Sequence, residues 1–256
     1  MPVPVMSAIE VADATVDFGP LRALNAATLT VAEGSCFGIV GESGSGKTTL
    51  LRAILGLQRL NAGRIALMGT PVPRGPRNFR AQARLIQPLF QDPAQSLSPR
   101  RRISQSMDEV AEMLGEPREG MRARLSVLFD RLGIPTALVD RHPHEISGGQ
   151  ARRAAIARVL LFRPRVLIAD EPTAGLDVSV QGDLLNLLQD LRRDMGTTLL
   201  VVSHNLAAVR LIADRVAVMH RGRIVEAGDT GSVLDAPQHD YTRRLLASWP
   251  RPSARS

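Results

Sequence analysis

Aromatic side chains are scarce in this 256-residue sequence: Phe, Trp and Tyr together make 3% of it, with one Trp and one Tyr. A core must therefore be built from Val, Leu, Ile and Ala. A hydrophobic content of 44% is enough for one large domain or two closely joined subdomains. Cysteine is limited to Cys36. That excludes an internal disulfide, fits a reducing compartment, and leaves Cys36 to read as a small buried hydrophobe. No apolar run approaches the roughly 18–20 residues of a spanning helix, and no charged-then-apolar leader opens the chain. A soluble protein is expected, with any membrane role carried by partners. Acidic residues are the minority, 25 Asp and Glu against 32 Lys and Arg, for a net charge of +7. Such a balance implies an anionic neighbour (nucleotide, nucleic acid or membrane surface) without choosing among them. The densest basic patches, Arg74, Arg77, Arg80 and Arg84, then Arg100, Arg101 and Arg102, read as solvated loop and helix faces. His142, His144, His220 and His239 cluster with neither cysteines nor acids and read as structural.

Residues 8–40 alternate apolar and polar positions, with turns at Phe18-Gly19-Pro20 and Glu33-Gly34, as a small antiparallel sheet would. Ala62–Leu67 reads as one more strand, and Pro71–Arg77 as a Pro/Gly/Arg loop. From about Gln91 to Leu161 the pattern turns helical and charged, with breaks at Gly115-Glu116-Pro117 and Gly133-Ile134-Pro135. Core strands return at Val166–Ala169, Thr198–Val202 and Val216–Met219, with an amphipathic helix at Gln181–Met195 between the first two. Arg221-Gly222 predicts a hairpin into Arg223–Glu226. Apolar strands separated by helices imply an α/β fold with a mostly parallel sheet covered on both faces. One continuous domain is expected over 1–256. Its core and antiparallel β subdomain occupy about 8–90 and 162–228, an inserted α-helical subdomain about 91–161, and a C-terminal extension 229–256.

The motifs that carry chemistry begin with Gly41-Glu42-Ser43-Gly44-Ser45-Gly46-Lys47-Thr48, between the strand Phe37–Val40 and the helix Thr49–Leu55. Three glycines let successive N–H groups turn inward around a phosphate. The helix N-terminus adds partial positive charge, Lys47 reaches β- and γ-phosphates, and the Thr48 hydroxyl suits Mg²⁺. The strand Val166–Ala169 runs into Asp170 and Glu171. Asp170 falls where phosphate-loop NTPases place a Mg²⁺ partner, and Glu171 where it would orient or deprotonate an attacking water. Ser147-Gly148-Gly149-Gln150 precedes the helix Ala151–Leu161 and reads either as a second, lysine-free anion cradle or as an ordinary Ser N-cap.

In this order the phosphate loop, Gln91, Ser147–Gln150, Asp170-Glu171-Pro172, Gly175-Leu176-Asp177 and Ser203-His204 resemble the ATP-binding subunit of ABC transporters over nearly the whole chain. The resemblance implies an ATPase that uses ATP and Mg²⁺. Nucleotide contacts are expected at Gly41, Ser43, Gly44, Ser45, Gly46, Lys47, Thr48 and Thr49, with Phe18 stacked on adenine. Ser147, Gly148, Gly149 and Gln150 would grip the γ-phosphate held by the opposite subunit, and Asp177 would link the two sites. Glu171 would be the catalytic base, positioned by His204, which also contacts the γ-phosphate. Thr48 and Asp170 would hold Mg²⁺, with no other metal, and Gln91 would touch Mg²⁺ or the attacking water and report nucleotide state to a membrane partner. Leu89–Pro93, Ser96–Arg100 and the tail Pro237–Arg243 are similar to the oligopeptide, dipeptide and nickel importer branch. That branch implies a peripheral protein on the cytoplasmic face of the inner membrane. Its partners would be two membrane-spanning permeases, a second identical or related ATPase subunit and, indirectly, an extracytoplasmic substrate-binding protein, with no nucleic acid. Gly175 stands where these importers usually have Ala, and Asn205 where Asp often follows the histidine; neither change removes a group needed for hydrolysis. The segment Ala174–Asp177 also resembles the ABC-type component of the soluble carbon–phosphorus lyase system, which is the alternative reading.

Overall fold

The computed structural model describes residues 6–72 and 79–248, which fall into two units: the residues up to 75 with those from 173 onward, and residues 76–172. The chain begins with β1 (Ser7–Phe18), β2 (Leu21–Ala32), β3 (Cys36–Val40), α1 (Lys47–Ile54), β4 (Ala62–Leu67) and β5 (Thr70–Pro71). It continues through α2 (Phe79–Leu85), β6 (Ile86–Leu89), α3 (Ile103–Leu114), α4 (Arg118–Arg131), α5 (Gly148–Leu160) and β7 (Val166–Asp170). It closes with α6 (Val178–Met195), β8 (Thr198–Val202), α7 (Leu206–Ile212), β9 (Arg215–His220), β10 (Arg223–Asp229), α8 (Thr230–Asp235) and α9 (Asp240–Ala247). Residues 73–77 of the expected loop, including Arg74 and Arg77, lie outside the described residues, as do 249–256 of the C-terminal extension.

In the first unit, β1 and β2 form an antiparallel hairpin closed at Gly19-Pro20, and β4 then β5 extend it in the order β2-β1-β4-β5. The buried face carries Ile9, Val11, Ala14 and Val16 from β1 and Leu24, Ala27, Leu29 and Val31 from β2. The alternation slips by one residue between Val11 and Ala14 and between Leu24 and Ala27. At each slip a residue with positive φ, Asp13 or Ala26, returns the apolar set to the core face. The second sheet of this unit centres on β3, whose five residues are all buried. It runs parallel to β8 on one side and β9 on the other, and β10 pairs antiparallel with β9. Burial of β3 on both faces explains its unbroken apolar sequence. Cys36 sits in this core, where desolvation pushes its thiol up to about 12, so it stays protonated and packs as a small hydrophobe. The hairpin between β9 and β10 turns on Arg221 (φ 48°) and Gly222 (φ 77°), the two positive φ values a two-residue turn of this hand demands.

In the second unit β6 and β7 are parallel, and α3, α4 and α5 bury Met107, Val110, Met121, Phe129, Ala154 and Ile156 among themselves. The expected helix breaks fall at Gly115, which caps α3 in the left-handed conformation, and at Gly133 beyond α4. Three helices start earlier than the apolar pattern indicates: α1 at Lys47, α5 at Gly148 and α6 at Val178. Each follows its cap residue (Gly46, Ser147 or Asp177) directly; the first turns of α1 and α5 carry polar or small side chains that periodicity does not detect, and α6 opens on Val178-Ser179-Val180, whose every-other-residue alternation is not helical.

Candidate nucleotide site

The turn from β3 into α1 is built around glycines that nothing else can replace. Gly41 has φ 153°, and a Cβ there would lie 2.2 Å from the Met219 carbonyl oxygen. Gly46 has φ 107°, and its Cβ would lie 2.6 Å from the Ala23 carbonyl. The loop is pressed against β9 on one side and β2 on the other, and the Gly222 N–H of the β9–β10 hairpin donates to the Ser45 carbonyl at 2.8 Å. The mouth is open at Gly44, where an added Cβ meets nothing within 4 Å, and Glu42, Ser43, Gly44 and Thr48 are exposed. Thr49 is half-buried in the first turn of α1.

Lys47 is 8% exposed. Its Nζ donates to the carbonyls of Gly41 and Glu42, each at 2.8 Å, and lies 3.4 Å from Ser45 Oγ. It is also the only lysine in the sequence; every other fixed cation is an arginine. An ammonium is a compact point charge with rotatable donors and fits a tight backbone ring where a planar guanidinium fork would not. A ring of backbone around one buried ammonium, open on one side and continuing into an eight-residue helix, suits a terminal phosphate of a nucleoside triphosphate.

Other expected residues of this unit line the same sheet edge or stand apart from it. The Ser203 N–H donates to the Ile39 carbonyl at 3.1 Å, so His204, which is exposed, leaves β8 at the edge where β3 enters the loop. Asn205 is the N-cap of α7, its Oδ1 accepting the Ala208 N–H at 3.1 Å, so helix capping accounts for the residue at this position. Phe18 is 47% exposed at the end of β1 and presents an open aromatic face. Asp177 is exposed at the N-cap of α6, after Gly175 with φ 72°.

Within the second unit, the register Leu89↔Ala169 sends β6 and β7 off the same end. Gln91, exposed, and the half-buried Asp170 and Glu171 therefore share one edge. Glu171 has φ 48°, a left-handed conformation costing a side-chain-bearing residue about 1 kcal/mol, of the kind that collects at functional positions. Ser147 and Gln150 form a reciprocal cap: Ser147 Oγ accepts the Gln150 N–H at 3.2 Å and Gln150 Oε1 accepts the Ser147 N–H at 3.0 Å. Gly148 and Gly149 are exposed, with room beside both. Just upstream, the Glu145 carboxylate accepts the His142 N–H at 2.6 Å, which with the His142 ring holds its pKa below the usual carboxylate value. Sequence reasoning missed the supports of the loop: Met219 and Gly222, and Tyr241 on α9. Gly222 was legible only as a turn residue.

A sequence model described as ABC transporter matches residues 24–174, more than half of the chain. The chain belongs to the ABC transporter family. It is 42% identical, over 235 residues, to the oligopeptide transport ATP-binding protein OppF of Escherichia coli, covering 91% of this chain and 70% of OppF. Its structure is similar to that of cbiO1 from Clostridium perfringens, part of the ABC transporter complex cbiONQ. That likeness has a TM-score of 0.83 at 30% identity and covers 90% of this chain and 92% of the other. A likeness of fold extends to an ATP-binding cassette whose dimer was captured in a post-hydrolysis state bound to ADP and Pi. There the TM-score is 0.74 at 24% identity, covering 87% and 98%. Family membership accounts for the combination seen here, an antiparallel β sheet beside a mostly parallel one, and implies ATP binding. Among the described residues no three of His, Cys, Asp and Glu are grouped to hold a metal ion, and a Mg²⁺ bound through one carboxylate, a hydroxyl and phosphate oxygens needs no such group.

Proposed function

We propose that this chain is the ATP-binding and ATP-hydrolysing subunit of an ABC importer for peptides, nickel or related small solutes. The observation that carries the reading is the phosphate loop itself: a glycine ring that tolerates no Cβ at Gly41 or Gly46, closed around the single lysine of the sequence. The 42% identity to an oligopeptide transport protein supports an importer over a soluble carbon–phosphorus lyase assembly.

In this reading the β- and γ-phosphates of ATP seat in Gly41–Thr48, with Thr49 completing the turn and Phe18 stacked on adenine. The Lys47 ammonium exchanges its loop carbonyls for phosphate oxygens. Mg²⁺, which Thr48, Gln91 and Asp170 would hold, supplies neutralisation of phosphate charge. Glu171 accepts the proton of a water whose oxygen attacks the γ-phosphorus; the bond to the ADP oxygen breaks, leaving ADP and phosphate. His204 contacts the γ-phosphate and positions Glu171. Ser147, Gly148, Gly149 and Gln150 of a second ATPase subunit grip the same γ-phosphate, and Asp177 links the two sites.

The residues 91–161 form the helical insertion that couples this cycle to two permease subunits, with solute delivered by an extracytoplasmic binding protein and the chain seated at the cytoplasmic face of the membrane. No described helix is long and apolar enough to cross a membrane, which suits attachment through partners. Glu171→Gln is expected to cut ATP turnover by roughly 10²-fold or more while keeping ATP binding, measured by phosphate release and by equilibrium binding. Lys47→Ala is expected to lose the binding itself. Unchanged turnover in Glu171→Gln, or normal affinity in Lys47→Ala, contradicts the assignment of that residue.

A further inference from the structure

Tyr241 is the only tyrosine in the sequence, lies beyond the family-matched region, and is 3% exposed. Its hydroxyl oxygen accepts the backbone N–H of Glu42 at 3.2 Å, a contact between α9 and the phosphate loop across 199 positions of sequence. Its ring stacks on His220, with centroids 3.8 Å apart and planes 18° from parallel. His220 directly follows Met219, whose carbonyl lies against Gly41. The first two residues of the loop are thus backed by one continuous surface, the end of β9 and the ring laid upon it.

The start of α9 is itself pinned. The Glu226 carboxylate on β10 accepts the N–H groups of Gln238 at 2.8 Å and His239 at 3.1 Å, and His239 Nδ1 accepts the Tyr241 N–H at 3.1 Å. Arg243 donates to the carbonyls of Pro237 and Gln238. Tyr241 is therefore presented from a fixed platform. Burial raises the pKa of its phenol, which keeps the hydroxyl protonated at neutral pH.

We propose that Tyr241 is a positioning residue of the nucleotide site, holding the Glu42 amide so that the phosphate loop keeps its shape when Lys47 turns from the loop carbonyls to phosphate. Glu42 is gripped at both ends, its N–H by Tyr241 and its carbonyl by Lys47 at 2.8 Å. Only the second grip is given up to a ligand. The proposal rests on the nucleotide reading above, and it concerns affinity rather than the chemical step, because the partner of the Tyr241 hydroxyl is a backbone amide of the phosphate loop and not a group that transfers a proton.

Tyr241→Phe in the full chain keeps the ring and removes the hydroxyl that accepts the Glu42 N–H. MgATP is expected to bind about fivefold more weakly by calorimetry, the worth of one neutral hydrogen bond. At 1.4 kcal/mol per tenfold that is about 1 kcal/mol. KM for ATP rises by a similar factor while kcat stays within about twofold. Hydrogen exchange at the Glu42 amide, read without nucleotide, speeds up. Equal affinity and unchanged Glu42 exchange in the variant, beside a wild type that binds MgATP, would overturn this proposal alone. A fall in kcat matching the rise in KM, with Glu42 exchange unchanged, would also overturn it by making the effect a general loosening. A wild type that does not bind MgATP would overturn the nucleotide reading and this proposal with it.

Discussion

Lys47 stands alone among arginines, and this makes the site chemically addressable. An amine-directed reagent can modify only Lys47 and the chain terminus, and buried hydrogen bonds to Gly41 and Glu42 hold Lys47 in place. Mass spectrometry after prolonged acylation is expected to show slow modification of the buried Lys47 that MgATP slows further; a measurable labelling rate that is the same with and without nucleotide would place the phosphates elsewhere. The strained Glu171 offers a second test. With φ at 48°, Glu171→Gly is expected to be more stable than Glu171→Ala by about 1 kcal/mol in denaturant unfolding, while both variants lose turnover. Equal stability of the two would mean that the left-handed backbone carries no cost. At this scale the glycine turn around Lys47 and the strand that ends at Asp170 were legible because each lies inside a short motif with a local pattern. The Tyr241–Glu42 contact was not, because its partners are 199 positions apart and neither sits in a pattern pointing to the other.

Among the elements, the β9–β10 hairpin matters beyond its own turn. Gly222 supplies a positive φ, donates to Ser45 in the loop, and would place a Cβ 2.8 Å from the Ala23 carbonyl. Gly222→Ala is therefore expected to destabilise the fold by roughly 1–3 kcal/mol and to weaken ATP binding in parallel, by thermal unfolding and calorimetry. Retained stability and affinity would remove the hairpin from the support of the loop. The neighbouring α9 platform is sensitive to acid. Burial, then Arg221, lowers the pKa of His220 below 6.5, so the fold favours the neutral ring. Its contribution is complete above pH 6.5 and is lost as pH falls through the folded-state value. Burial raises the Glu226 carboxyl, but hydrogen bonding led by the Gln238 N–H, with the charge of His239, outweighs it and holds the pKa below the usual carboxylate value; that contribution is lost at still lower pH. The unfolding midpoint of His220→Asn is expected to fall less steeply than that of the wild type as pH drops below 6.5, and identical slopes would contradict this.

The hairpin itself was legible from Arg221-Gly222 and the strands from their apolar runs. The pair α2 and β6 was not, because Pro88 interrupts β6, which tolerates it as a strand paired only with β7 among the described strands. The helices α7 and α9 are too short, at seven and eight residues, for a 3.6-residue period to stand out.

For the whole molecule, the α/β class was readable from apolar strands alternating with helices, and family membership from the order of six motifs. The transported solute was not, because no residue of an ATP-driven engine need touch it. Each ATP is expected to be gripped by two chains, so turnover per chain should rise with protein concentration in a dilution series; a constant specific rate would argue for a self-sufficient monomer. The net charge of +7 leaves nucleotide, membrane surface and nucleic acid as electrostatic partners, and the choice among them is made by what the chain is bound to in the cell. The most direct test is purification of the tagged chain from its native membranes in mild detergent, with identification of what accompanies it. Two multi-spanning permease subunits, with or without a sister ATPase, are the predicted result. Soluble enzymes of a carbon–phosphorus lyase assembly in their place would contradict the importer while leaving the chemistry proposed for Lys47 and Glu171 standing.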